Sequence, residues 1–223
     1  MPSRCKLVLR SRSEHRTYVV QTLRNLCGLA VFHVLRAGLH SPSCSGSGVV
    51  VSRLNGGGWS PASAINVDLE LPQDVEVADI VVMFKGQSDL DGLLNPDAKF
   101  GKGHVSEPGP IPRSDAPAAQ LRSSFQDKGP LLSYAKSKGQ LVELNLRHLA
   151  LREVNAENER FYGVSGITMR EILSGQAKTP SGTSGDLYST LNAIDQANPS
   201  LSGLPKPGKC PGDCRVRAPT IVS

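Results

Sequence analysis

Apolar and polar positions repeat along this chain with two periods, and each period predicts a different kind of element. From Asn66 to Leu71, apolar Val67, Leu69 and Leu71 alternate with Asp68 and Glu70, the two-residue period of a strand with one wet face. The segment Val75 to Phe84 holds the unbroken run Ile80-Val81-Val82-Met83-Phe84, which predicts a central strand buried on both faces. From Leu141 to Leu151, Val142, Leu144 and Leu146 alternate with Glu143, Asn145 and Arg147. That stretch reads as a strand, although Leu141, Leu144, His148 and Leu151 also match helical spacing. Between Tyr18 and Leu39, residues Leu23, Leu26, Ala30 and His33/Val34 fall near helical spacing and Gly28 interrupts them. One helix and a helix running into a strand fit equally well there.

Helical signals are clearest in the last third. Thr168-Met169-Arg170-Glu171 is a T-x-x-E capping box with Ile167 and Ile172 at the flanking apolar positions, and Gly175 supplies the stop. Asp186 caps a last helix whose Leu187, Leu191 and Ile194 form one stripe. A short helical turn is expected from Asp89 to Leu94, and Asn95 to Ser124 reads as a Pro/Gly-rich connection. Trp59, the single tryptophan, closes the strongest hairpin signal. The β-branched Val49, Val50 and Val51 suit a strand, and Asn55-Gly56-Gly57-Gly58 provides the positive-φ positions of a return turn. These elements predict an α+β fold: one domain with an antiparallel sheet built from the segments around Val49, Val67, Val75 and Val142, flanking helices and disordered tails. The expected boundaries are a basic segment over 1–22, a folded domain over 23–195 and a Pro/Gly/Lys-rich tail over 196–223.

The hairpin also carries a resemblance. The run G-S-G-V-V-V-S-R, a glycine turn and W-S-x-x-S-A-I resemble the signature of the SYLF domain family, the Ysc84-type lipid- and actin-binding module of fungal endocytic adaptors. Further matches follow in order: Tyr134 to Gly139 (YAKSKG), Asn158 to Gly163 (NERFYG) and Ile172 to Gly175 (ILSG), with Cys27 to Gly38 similar to the family's KGLAIF segment upstream. The motif positions are Gly46, Gly48, Trp59, Ser60, Tyr134, Gly139, Phe161, Tyr162 and Gly163. The resemblance implies a non-enzymatic protein that binds phosphoinositide or other anionic membranes, with actin filaments as a second partner, in endocytosis or cortical actin organisation. It implies a cytoplasmic protein, peripheral at membranes or cortical actin, without a cofactor. Two features of the adaptors find no match: a helical segment ahead of the first motif, and a carboxy-terminal Src-homology domain. The acidic stretch Asn66 to Pro72 also replaces a glycine-rich segment of the family.

Charge places the candidate contacts. Residues 1–24 hold six Arg/Lys against Glu14, and the rest of the chain is balanced, with 19 basic and 19 acidic residues, so the net charge of +5 resides in that segment. Basic side chains near an anionic bilayer gain about 1 kcal/mol each. The residues expected to meet phosphates are therefore Arg4, Lys6, Arg10, Arg12 and Arg16, joined by Arg53, Lys136 and Lys138. Aromatic residues make up only 4% of the chain, too few for stacking platforms on single-stranded nucleic acid, and no nucleic-acid partner is expected. The five cysteines are odd in number and scattered, which fits a reducing compartment. Cys210 and Cys214 are the one close pair, and no second pair has metal-ligand spacing. No nucleophile elbow, zinc-protease helix or phosphate-cradling lysine loop occurs. The alternative reading is a small cytosolic hydrolase or small-ligand-binding protein with no membrane role.

Overall fold

The computed structural model describes residues 26–38, 41–94, 107–108, 131–142, 146–180 and 185–196. Its strands are β1 (Gly28–Arg36), β2 (Ser43–Ser52), β3 (Ser63–Glu70), β4 (Val77–Phe84), β5 (Glu107–Pro108), β6 (Leu131–Ser137), β7 (Gln140–Val142) and β8 (Arg147–Glu153). The helices are α1 (Gln87–Leu94), α2 (Asn155–Tyr162), α3 (Met169–Leu173) and α4 (Asp186–Gln196). One sheet runs in the order β5-β6-β4-β1-β2-β3-β8, with β7 also on β6, and every pairing is antiparallel except the short β5–β6 contact. The expected α+β architecture is the one observed.

The chain from Tyr18 to Leu39 resolves into β1 from Gly28 onward, and this strand lies at the middle of the sheet between β2 and β4. Its Ala30, Phe32 and Val34 enter the larger core, while Leu29 and Val31 enter the core on the opposite face. A strand apolar on both sides loses its alternation, which is why helical spacing competed with it. The predicted strand Leu141 to Leu151 is corrected to two strands. Lys138 (φ 47°) and Gly139 (φ 86°) turn the chain back after β6 in a two-residue hairpin, and β7 extends only to Val142. β8 pairs with β3 on the far side of the sheet. It carries a bulge opposite Leu69, where His148 adopts φ 51° and its Nδ1 lies 3.0 Å from Glu70. The expected connection Asn95 to Ser124 lies largely outside the described residues.

The first face of the sheet is covered by α1 through Leu90 and Leu93 and by α3 through Met169 and Leu173. The second face is covered at one end by α4, through Leu187, Tyr188 and Leu191 over Leu29, Val51, Met83 and Leu132. The capping box on α3 forms as expected, with Glu171 N–H donating to Thr168 Oγ1 and Thr168 N–H donating to Glu171. Ile167 and Ile172 are both buried beside it, and Gly175 (φ 81°) ends the turn.

Gly46 and Gly48 let β2 lie close against β1. A Cβ on Gly46 would stand 1.8 Å from the carbonyl oxygen of His33, and one on Gly48 would stand 2.2 Å from that of Val31. The space goes to Phe32 and Val34, paired across from them and buried in the larger core. Gly48→Ala should therefore destabilise the fold by about 1–3 kcal/mol or more, since backbone must move to admit the methyl. Gly56→Ala, whose methyl would meet nothing within 4 Å, should be nearly neutral. Equal urea midpoints for the two variants would contradict this account of the glycines.

Candidate functional site

The motifs that carry the resemblance converge on one short segment, Trp59 to Ala64, which joins the hairpin turn to β3. After Arg53 and Trp59 make an isolated bridge, the strands separate around Pro61, which has no N–H to give, and the ladder resumes at Ser63. The polar groups of this stretch are met from elsewhere. Ser60 Oγ accepts from Ser52 N–H at 2.9 Å and donates to the Pro61 carbonyl at 2.8 Å. Tyr188 OH on α4 donates to the Ser60 carbonyl at 3.0 Å, and Tyr162 OH on α2 donates to the Ala62 carbonyl at 2.6 Å. Asn158 on α2 is buried. Its Oδ1 accepts from Ala64 N–H at 2.8 Å while its Nδ2 donates to Ser63 Oγ at 3.0 Å. Ser52 Oγ donates to the Leu173 carbonyl at the end of α3. Two helices, α2 and α4, are thus fastened to one irregular piece of backbone, and α3 is fastened to Ser52 beside it.

Protonation states agree with these roles. Burial raises the phenol of Tyr188 to about 12 and pushes that of Tyr162 higher still, so both stay protonated as donors at neutral pH. Burial also lifts the Glu153 carboxyl above its ordinary value, against the pull of the Met169 N–H and the Asn158 amide that it accepts from. The capping carboxyl of Glu171 is held low by the Thr168 N–H.

The motif glycines and aromatics serve the same frame. Tyr134 is buried under the second face, and Gly163 (φ 66°) ends α2 by donating to the Glu159 carbonyl. Phe161 meets Tyr162 edge-on, with ring centroids 5.0 Å apart, and is 46% exposed, as is neighbouring Val164 at 51%. Trp59 is 9% exposed and lies beneath Arg53, whose Cζ is 4.0 Å from the ring centroid. The indole N–H finds no acceptor among the described residues.

The residues expected to meet phosphates are not gathered in one place. Arg4, Lys6, Arg10, Arg12 and Arg16 lie outside the described residues. Arg53 is engaged inside the protein, with Nη1 2.7 Å from Asp195 on α4. Its expected place among the phosphate contacts gives way to a packing role, because a guanidinium stacked on an indole and paired with a carboxylate has its charge matched already. Lys136 lies on the second face at the level of His33, six residues along the chain from the Cys27 carbonyl that Arg53 N–H bonds, or about 20 Å at strand rise. Lys138 is fully in the turn and exposed, and neither lysine has an ion-pair partner among the described residues.

Beyond the reach of α4, the second face becomes polar in steps. A row of half-buried Val31, Val49 and Val81 is followed by the row Lys136, Asp79, His33, Ser47, Asn66 and Arg152, each beside the next across the strands. Within it His33 Nδ1 lies 2.7 Å from Asp79, and Arg152 pairs with Asp68 one row on. The last row carries exposed Leu35 and Val77. Sequence reasoning missed the His33–Asp79 pair and Asn158, although Asn158 opens a motif already singled out. Among the described residues no cluster of three or more His, Cys, Asp or Glu could hold a metal ion. No described helix is long and apolar enough to cross a membrane.

A family profile described as Ysc84, Las17-binding protein actin regulator, matches residues 73–194. The chain belongs to the Ysc84 family. It is 30% identical over 175 residues to SH3 domain-containing YSC84-like protein 1 of Xenopus laevis, covering 76% of this chain and 50% of that protein. It is 33% identical over 166 residues to Protein YSC84 of Saccharomyces cerevisiae, covering 71% and 34%, and LAS seventeen-binding protein 3 of the same yeast is 32% identical over an equal length. The chain therefore spans half or less of the length of these curated relatives. No solved structure matches it.

The site generates two expectations. Glu153→Gln keeps an acceptor for Met169 N–H and removes a carboxylate that burial disfavours. A raised folded pKa gives stability that is present below the ordinary carboxylate range and lost as pH rises through the folded value. The variant should gain on the wild type in urea midpoint from pH 4 to pH 7, and a pH-independent difference would contradict the burial assigned to Glu153. Trp59→Ala should cost about 3–5 kcal/mol, as expected for a buried indole. A fully stable Trp59→Ala protein with reduced ligand binding would instead mark the indole as a contact residue.

Proposed function

We propose that this Ysc84-family chain is a non-enzymatic module that binds anionic membranes, phosphoinositides among them, and also actin filaments, at the cytoplasmic periphery in endocytosis or cortical actin organisation. The observation that carries the reading is the match to an actin-regulator family over residues 73–194. The name of LAS seventeen-binding protein 3 and the family's description as a Las17-binding actin regulator support a place among actin-regulatory partners. Charge supports the membrane part. Lys138 projects at the β6–β7 turn, Lys136 lies on the same hairpin, and the balance of +5 in residues 1–24 adds Arg4, Lys6, Arg10, Arg12 and Arg16. Bound phosphate would meet cations by electrostatics, with no covalent step.

One observation favours the hydrolase alternative. Ser47, His33 and Asp79 stand side by side on the open face, the residue types of a nucleophile, base and orienting acid. Ser47 makes no hydrogen bond to His33, and the backbone N–H groups around it are those of a paired strand, so no oxyanion donors are presented.

The test is co-sedimentation with anionic vesicles, neutral vesicles and actin filaments in parallel. Binding should require anionic lipid and weaken as salt rises, since exposed charges are screened over about 8 Å at physiological ionic strength. Lipid binding should be the stronger activity, and deleting residues 1–22 should weaken it. Undiminished binding to neutral vesicles in high salt would sink the electrostatic reading. Strong filament bundling by the deletion variant, with no vesicle binding by either protein, would make actin the primary partner. Ester hydrolysis abolished by Ser47→Ala and by His33→Ala would favour the alternative.

A further inference from the structure

The cation that the fold spends internally is placed where it could be reclaimed. Helix α4, the last element of the described residues, has 11 residues, short enough to be marginal on its own in water. Its last turn carries Asp195 and no basic residue, which puts a carboxylate at the negative end of the helix dipole. Arg53 offsets both from outside the helix, at 2.7 Å from Asp195, and it stands on the face of Trp59. The other fastenings of α4 are the Tyr188 hydrogen bond to Ser60 and the seating of Leu187 and Leu191 on the second face. Residues 176–180, which precede it in the described chain, have no regular structure.

We propose that the Arg53–Asp195 pair is an exchangeable catch, in which lipid phosphates compete with Asp195 for the guanidinium and release α4 from the sheet. Release leaves Arg53 and Trp59 side by side on an uncovered face. The apolar residues Leu29, Val51, Met83 and Leu132 then become continuous with half-buried Val31 and Val81 and with exposed Leu35 and Val77. A guanidinium that reaches phosphates beside an indole that settles at the headgroup level is a pairing suited to a bilayer surface. A filament surface offers carboxylates but no apolar layer for the face to enter. In the closed state the same charge is satisfied by Asp195, so α4 lowers membrane affinity.

This rests on the membrane reading above, and the experiment separates the two. Asp195→Asn keeps the size of the side chain and removes the competing charge. Its affinity for anionic vesicles should rise on the order of fivefold, the gain expected from one more basic residue near the surface. Arg53→Gln added to Asp195→Asn should remove that gain, and Asp195→Asn should also speed amide exchange in α4. Trp59, the single tryptophan, reports directly: its emission should shift when wild-type protein meets anionic vesicles and stay unchanged with neutral ones. If wild type binds anionic vesicles and Asp195→Asn binds no better, the catch is structural and the proposal falls while the membrane reading stands. If wild type does not bind and Asp195→Asn does, the catch is supported in a tighter form. If neither protein binds, both readings fail. A gain for actin filaments alone would overturn the membrane as the competitor.

Discussion

The structure turns on a stretch of backbone that leaves its sheet before the sheet ends. Between Trp59 and Ser63 the regular ladder with β2 lapses, apart from the bond from Ser60 N–H to the Ser52 carbonyl, and the carbonyls of Ser60 and Ala62 are left to find partners from outside the sheet. A buried amide or carbonyl without a partner costs about 1–3 kcal/mol, and several occur here in succession. The remainder of the chain answers them one at a time: Asn158 and Tyr162 from α2, Tyr188 from α4, and Ser52 reaching on to the end of α3. These helices take their positions from hydrogen bonds to that segment as much as from apolar packing. The motifs that mark the family therefore describe how the domain is tied together, and a loss at one of them should act first on folding.

This explains what could be read from the sequence and what could not. Elements that bury one face were legible: β3, with Val67 and Leu69 inward and Asp68 outward, and α3, with its Thr168–Glu171 box. β1 was ambiguous because it is buried on both faces and so shows no period. α2 was missed for the opposite reason. Its one buried residue is the polar Asn158, so Asn-Ala-Glu-Asn-Glu-Arg-Phe-Tyr has no apolar stripe to detect. β7 and β8 were fused because Val142, Leu144 and Leu146 alternate without interruption, although β7 ends at Val142 and β8 pairs with β3 on the far side of the sheet.

The candidate site was less legible than the fold, for an electrostatic reason. Counting charges finds cations but not their counter-ions. Arg53 read as an available charge beside the hairpin, and it meets Asp195 from a helix 142 residues further along. His33 and Asp79 were each unremarkable in sequence, and antiparallel register brings them together. On the open face, the described acids Asp68, Glu70 and Asp79 each have a basic or imidazole partner. With those acids matched, that face is near neutral as a whole.

The two ends of the second face then differ in what they can contribute to binding. At the open end, paired charges hold water around Leu35 and Val77, and an approaching bilayer would have to strip hydration from Asp79, Asp68 and Glu70 before reaching apolar carbon. At the α4 end the apolar layer is already dry, and Arg53 is already stacked on an aromatic ring. The cost there lies in displacing a short helix rather than in desolvating acids. Since α4 depends on Arg53 to neutralise its own carboxy-terminal charge, whatever draws Arg53 away also weakens the helix. Cover and contact residue are thus coupled through one side chain, and the second face gains apolar reach only where an anion is present to take Asp195's place.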